Sequence, residues 1–184
     1  GTPVRVLYQG KVQAFRGIGE LVHAFGEIDN AVLTVSGDGP LVERFRFAAE
    51  HERLGDRVRF TGRFEPEETL DIVRAHDIGV LPFSPVTGNI MYSSPNKLFD
   101  YMMGGLAVVA TDLPFIRQVV DGTGAGVLMP DNAPGTIAAV IRDLAGNRDK
   151  LAGFRYRSRE AGLDRYSWEK QFSENYPFPG TPGR

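Results

Sequence analysis

The chain has 184 residues and a net charge of −2, and its 42% apolar and 24% charged residues are the balance of a globular domain with a real core, not of a disordered chain. Its Lys and Arg residues are spread along the chain, which disfavours a nucleic-acid partner, and the absence of cysteine removes disulfides and thiolate metal sites and fits a reducing, cytoplasmic setting. No apolar run reaches the roughly 18 residues of a membrane span, and the N-terminus lacks a signal-peptide pattern.

The first predicted strand is Val4 to Tyr8, and the loop after it, Gln9 to Gly17, carries Gly10, Lys11 and Arg16. Two cations beside glycines are either solvated loop charges or the charge neutralisation that a diphosphate leaving group needs. A helical pattern over Gly17 to Phe25 leads to a second strand, Ala31 to Ser36, and to the turn Gly37-Asp38-Gly39-Pro40. That turn lacks the third glycine of a dinucleotide fingerprint, since Val42 stands there. A helix over Leu41 to Ala49 and a strand over Val58 to Thr61 follow, then Gly62-Arg63-Phe64, whose backbone is placed to face a base. The pattern continues with a helix over Glu67 to Ala75 and a fourth strand, Ile78 to Pro82.

The loop from Pro82 to Ser94 is long and polar in its middle, as suits a segment that wraps a ligand. It runs into a helix for which Ser94 is the expected N-cap and Pro95 the expected first residue. The free N–H groups of residues 93–97, beside the ammonium of Lys97, form a phosphate-type helix start. Asp100, one turn further in, suits the vicinal hydroxyls of a ribose, so the two groups together match a nucleoside diphosphate. Strands at Ala107 to Ala110 and Gly126 to Met129 flank a helix near Ile116 to Val120, and helices over Pro134 to Leu144 and Arg148 to Ala161 follow. Ser167 is a candidate cap for a last helix, which puts the domain at residues 1–176 and leaves 177–184 as a flexible tail. Near-continuous apolar strands alternating with helices predict an α/β fold, a doubly wound six-stranded parallel sheet. No histidine and carboxylate spacing suggests a metal.

These motifs resemble the C-terminal, donor-binding lobe of GT-B fold retaining glycosyltransferases, the group 1 or family 4 type. The resemblance rests on Gly10-Lys11 and Arg16-Gly17, Gly37-x-Gly39, Val58-x-Phe60-x-Gly62, Ala75-x-Asp77, and above all Ser94-Pro95-Asn96-Lys97-Leu98-Phe99-Asp100-Tyr101-Met102 followed by Gly105 and Val108-Val109-Ala110-Thr111-Asp112. It implies a Rossmann-like half that binds a nucleoside diphosphate sugar, UDP favoured over GDP or ADP. The sugar would go to a glycan or lipid-linked acceptor, as in polysaccharide biosynthesis. It implies no metal or other cofactor, and an N-terminal acceptor lobe absent from this chain, through which the protein would meet a membrane surface. Lys11 and Arg16 would act in catalysis by holding the diphosphate. Gly10, Ser93, Ser94, Asn96, Lys97 and Leu98 would line the donor site, Asp100 would take the ribose, and Gly39, Gly62 and Arg63 would lie toward the base. Tyr92 stands where the family has a sugar-gripping glutamate, Ala107 where it has proline, and Gln118 where it has glutamate. A sugar-nucleotide 2-epimerase and a non-catalytic nucleotide-binding module are the alternative readings.

Overall fold

A computed structural model describes residues 1–86, 91 and 94–166. Its strands are β1 (Val4–Gln9), β2 (Ala31–Ser36), β3 (Val58–Gly62), β4 (Ile78–Leu81), β5 (Ala107–Thr111) and β6 (Gly126–Met129). They form one parallel sheet in the order β3-β2-β1-β4-β5-β6. The described helices are α1 (Ile18–Ala24), α2 (Val42–His51), α3 (Thr69–Arg74), α4 (Asn96–Gly104), α5 (Pro114–Thr123), α6 (Pro134–Gly146) and α7 (Arg148–Asp164). The doubly wound α/β architecture is therefore as the apolar runs predict. Ser167 and the tail lie outside the described residues.

Alternation along β1, β4, β5 and β6 sends side chains to two separate cores. Val4, Val6 and Tyr8 pack with Val80, Val109 and the apolar stripes of α1, α2 and α6. Leu7, Leu81, Val108 and Ala110 face the other way, against α3, α4 and α5. α7 joins the layers, since Leu151 belongs to the first core and Ala161 to the second.

Two helix starts differ from expectation for local reasons. The helix expected over Glu67 to Ala75 opens as a 3-10 turn at Pro66–Glu68, where Glu65 and Glu68 form a reciprocal capping box, before α3 begins. α4 begins at Asn96, not Pro95. Pro95 is the N-cap with extended backbone, no side chain caps the helix, and the Pro95 carbonyl accepts the Leu98 N–H at 3.0 Å. Ser94 is therefore one residue too early to cap it.

Candidate functional site

The strand order reverses between β1 and β4, which pair only through Val6–Ile78 and Leu7–Gly79. Beyond that point the two strands diverge, as open α/β sheets do where they bind ligands. The divergence leaves the Gln9 N–H without a β4 partner, and the Tyr101 hydroxyl accepts it at 3.0 Å. Gly79 makes this possible: a Cβ there would sit 2.3 Å from the Tyr101 ring. A side chain on β4 would evict the tyrosine that finishes the sheet.

A cleft of about 440 Å³ opens above this junction. Gln9, Gly10, Lys11 and Arg16 line it from the loop after β1, Phe83 from the loop after β4, and Ser94, Pro95, Asn96, Lys97 and Asp100 from the start of α4. An adjoining hollow of about 410 Å³ shares Gly10 and Lys11 and extends to Gly39, Arg63 and Phe64. The loops beneath are knitted together: Gly10 N–H donates to Ser36, Gly37 N–H to Gly62, and Val12 N–H to Asp38, at 2.8–3.0 Å. Gly17, with φ +70, lets the first loop lie flat on the end of β4, since a Cβ there would fall 1.6 Å from the Pro82 oxygen. That contact fixes Arg16, whose guanidinium lies 5.2 Å from the centroid of Phe83. Asn132, in the loop after β6, donates to the Pro82 carbonyl at 3.2 Å and the Ser84 hydroxyl at 2.9 Å, which steadies the same segment.

Lys97 is the most unusual group in the cleft. Its ammonium lies 4.2 Å from the centroid of Tyr8 and 5.5 Å from that of Phe83. Burial first, and the nearby charge of Arg16 second, push its pKa down to about 7, against a weaker opposing pull from Asp100. Burial likewise raises the pKa of Asp100, partly offset by Lys97. Burial raises that of Tyr8, with Arg16 opposing, and holds Tyr101 far above its ordinary value, so both phenols stay protonated. Tyr8 donates to the Lys11 carbonyl at 2.9 Å. Gln9 is 4% exposed, and its side-chain carbonyl has no hydrogen-bond partner. Among the described residues, none of Lys11, Arg16 and Lys97 forms an ion pair.

The structure thus brings together Gly10, Lys11, Arg16, Ser94, Asn96, Lys97 and Asp100 in one cleft, with Gly39 and Arg63 in the hollow beside it. Leu98 does not join them: its side chain is fully buried in the second core, because one helical step turns it from the cleft onto the sheet. Gly62 stands behind the hollow, its carbonyl spent on Gly37. Tyr92 and Ser93 lie outside the described residues. Tyr8 and Tyr101 escape a reading of the sequence, which places them in a strand and a helix with no role at the site, while Gln9 and Phe83 fall in the two loops expected to face a ligand but are not singled out. The available signal is that a tyrosine inside an apolar strand or helix needs a partner for its hydroxyl.

A hollow of about 640 Å³ between α2 and β3 is larger, but it lies at the sheet edge, and its Arg46 and Arg59 pair with Glu43 and Asp56. Among the described residues no cluster of three or more His, Cys, Asp or Glu could hold a metal ion, and no helix is long and apolar enough to cross a membrane.

A family model described as Glycosyl transferases group 1 matches residues 3–147. The chain is 25% identical over 176 residues to an uncharacterized glycosyltransferase of Methanocaldococcus jannaschii, covering 93% of this chain and 43% of that protein. It is 25% identical over 128 residues to the alpha-monoglucosyldiacylglycerol synthase of Streptococcus pneumoniae, covering 67% of this chain and 26% of the synthase. The chain thus spans less than half the length of these relatives. Its fold matches that of Alr3699/HepE from Anabaena, crystallised with UDP and glucose, with a TM-score of 0.79 at 16% identity over 95% of this chain and 48% of that one.

Proposed function

Since the chain belongs to the glycosyl transferases group 1 family, we propose that its cleft holds the nucleoside diphosphate sugar of a retaining transfer to a glycan or lipid-linked acceptor. This chain is the donor-binding half, and a further lobe supplies the acceptor site. The observation that carries the reading is the convergence of Lys11, Arg16 and Lys97, none in an ion pair among the described residues, at the switch point of the sheet. Cations that form no ion pair are suited to an anionic ligand. As the bond between the sugar and the diphosphate breaks, negative charge grows on the departing phosphate oxygen, and these three side chains offset it without a metal ion. Asp100, three residues into the cleft wall from Lys97, accepts from the ribose hydroxyls. The hollow by Gly39, Arg63 and Phe64 takes the base, and uracil is favoured because a protein of this fold was crystallised with UDP.

A thermal-shift panel of UDP, GDP, ADP and their sugars, run in EDTA, tests the assignment. A ligand at about 100 times its Kd stabilises the native state by about 2.7 kcal/mol, so one nucleotide series raises Tm and the others do not. Silence across the whole panel, or a shift that needs added Mg²⁺ or Mn²⁺, would overturn it.

A further inference from the structure

We propose that Lys97 is an uncharged amine in the ligand-free protein in mildly alkaline solution and becomes an ammonium when a diphosphate enters the cleft, so that donor capture takes up a proton. The inference rests on the donor-site reading above and adds a proton linkage to it.

Among the described residues, the side chains around Lys97 supply little that stabilises a charge. From β1 it meets the ring of Tyr8, and from the loop after β4 the ring of Phe83. Both phenols near it, Tyr8 and Tyr101, remain neutral. The loop after β1 presents Arg16 and Lys11, which are like charges, and Arg16 keeps its charge at any ordinary pH. Its own helix adds the partial positive charge of the α4 N-terminus. Asp100, the one carboxylate lining the cleft among the described residues, forms no ion pair with it. The attraction of the Tyr8 face for a cation opposes these effects but does not outweigh them, in keeping with a pKa of about 7.

A diphosphate reverses this balance. Its negative charges neutralise Arg16 and Lys11 and attract the proton back onto Lys97. A ligand that prefers one protonation state must shift the equilibrium toward it, and the shift appears as protons exchanged with the buffer.

Calorimetry of UDP-glucose binding to the full chain, in buffers of different ionisation enthalpy, counts those protons. UDP-glucose has no phosphate group that titrates near neutrality, so the protons counted belong to the protein. The expected uptake is about 0.9 proton per ligand near pH 8 and about 0.1 near pH 6. Lys97→Arg, with a guanidinium that is always charged, should abolish the uptake. No uptake near pH 8 in the wild type, or an uptake that persists in Lys97→Arg, overturns the proposal. A second measurement needs no ligand. The chain has four lysines, Lys11, Lys97, Lys150 and Lys170, so ¹³C-labelled lysine side chains give few signals to assign by NMR. A Lys97 midpoint near neutrality in the free protein supports the proposal, and a midpoint near the ordinary lysine value of 10.5 overturns it. A near-neutral midpoint together with silence toward every nucleotide would sink the donor-site reading while leaving the titration of Lys97 established.

Discussion

At the N-terminal end of the sheet the chain buries a carboxylate and surrounds it with arginines, whereas at the C-terminal end it gathers cations that form no ion pair among the described residues. Asp77, 7% exposed at the start of β4, accepts from Arg5 Nε and Nη2 at 3.0 and 2.9 Å and from Arg155 Nη1 at 2.8 Å. Arg155 also donates to the Gly105 carbonyl at 3.1 Å. One carboxylate thereby ties β1, β4, α7 and the end of α4 together. Burial alone would push the Asp77 pKa up, but the Arg5 bonds and the charge of Arg155 bring it below its ordinary value. Among the described residues Lys11, Arg16 and Lys97 have no such partners, and in Lys97 burial prevails. The difference suggests where each charge acts: paired charges serve the fold, and cations without ion-pair partners are, on the proposed reading, left for a ligand.

Breaking the paired end should have the largest effect. Asp77→Ala strands two arginines and should cost roughly 2 to 4 kcal/mol in urea unfolding, with the affinity for UDP unchanged. Because the folded-state pKa of Asp77 is lowered, its contribution is present above about pH 3.8 and is lost as pH falls through the folded value, and Asp77→Asn should lack that part of the acid transition. If Asp77→Ala unfolds like wild type, the clamp is decorative.

The cleft end should respond the other way. Lys11→Ala and Arg16→Ala should each weaken UDP binding by roughly 1.5 to 3 kcal/mol and change unfolding by no more than about 0.5 kcal/mol. Unchanged affinity in both would make them ordinary loop charges. A pH series sharpens the comparison at Lys97. A cation whose folded pKa is depressed destabilises the fold fully below that value, near pH 7, and the cost fades as pH rises toward the unfolded value of 10.5. Lys97→Met should therefore gain on wild type as pH falls, its stability relative to wild type being greater at pH 6 than at pH 9 by up to about 2.7 kcal/mol. A gap independent of pH would show that the amine is not buried as a charge.

Much of this architecture is written locally in the chain. The alternation of Val4, Val6 and Tyr8 with Leu7 specifies a strand buried on both faces, and the β-then-α rhythm specifies a parallel sheet. Gly10, Lys11 and Arg16 stand out because glycine and charge after an apolar strand mark a loop at the ligand end of such a sheet. Asp100 stands out because a carboxylate beside a lysine at a helix start has no purpose in binding phosphate. Local pattern also misplaces Leu98, since a motif read as a string does not say which face of α4 each residue takes.

The sequence by itself determined the order and type of the elements, because periods of 2 and 3.6 residues record which faces are apolar wherever the chain later goes. Only the tertiary structure decided what stands beside Lys97 and what grips Asp77. The Tyr101 hydroxyl meets Gln9 across 92 residues and Arg155 meets Asp77 across 78, and both meetings depend on strand order and on the space left by Gly79. The pKa of a lysine follows the water, rings and charges around its nitrogen, and those are assembled only when β1, the end of β4 and α4 come together.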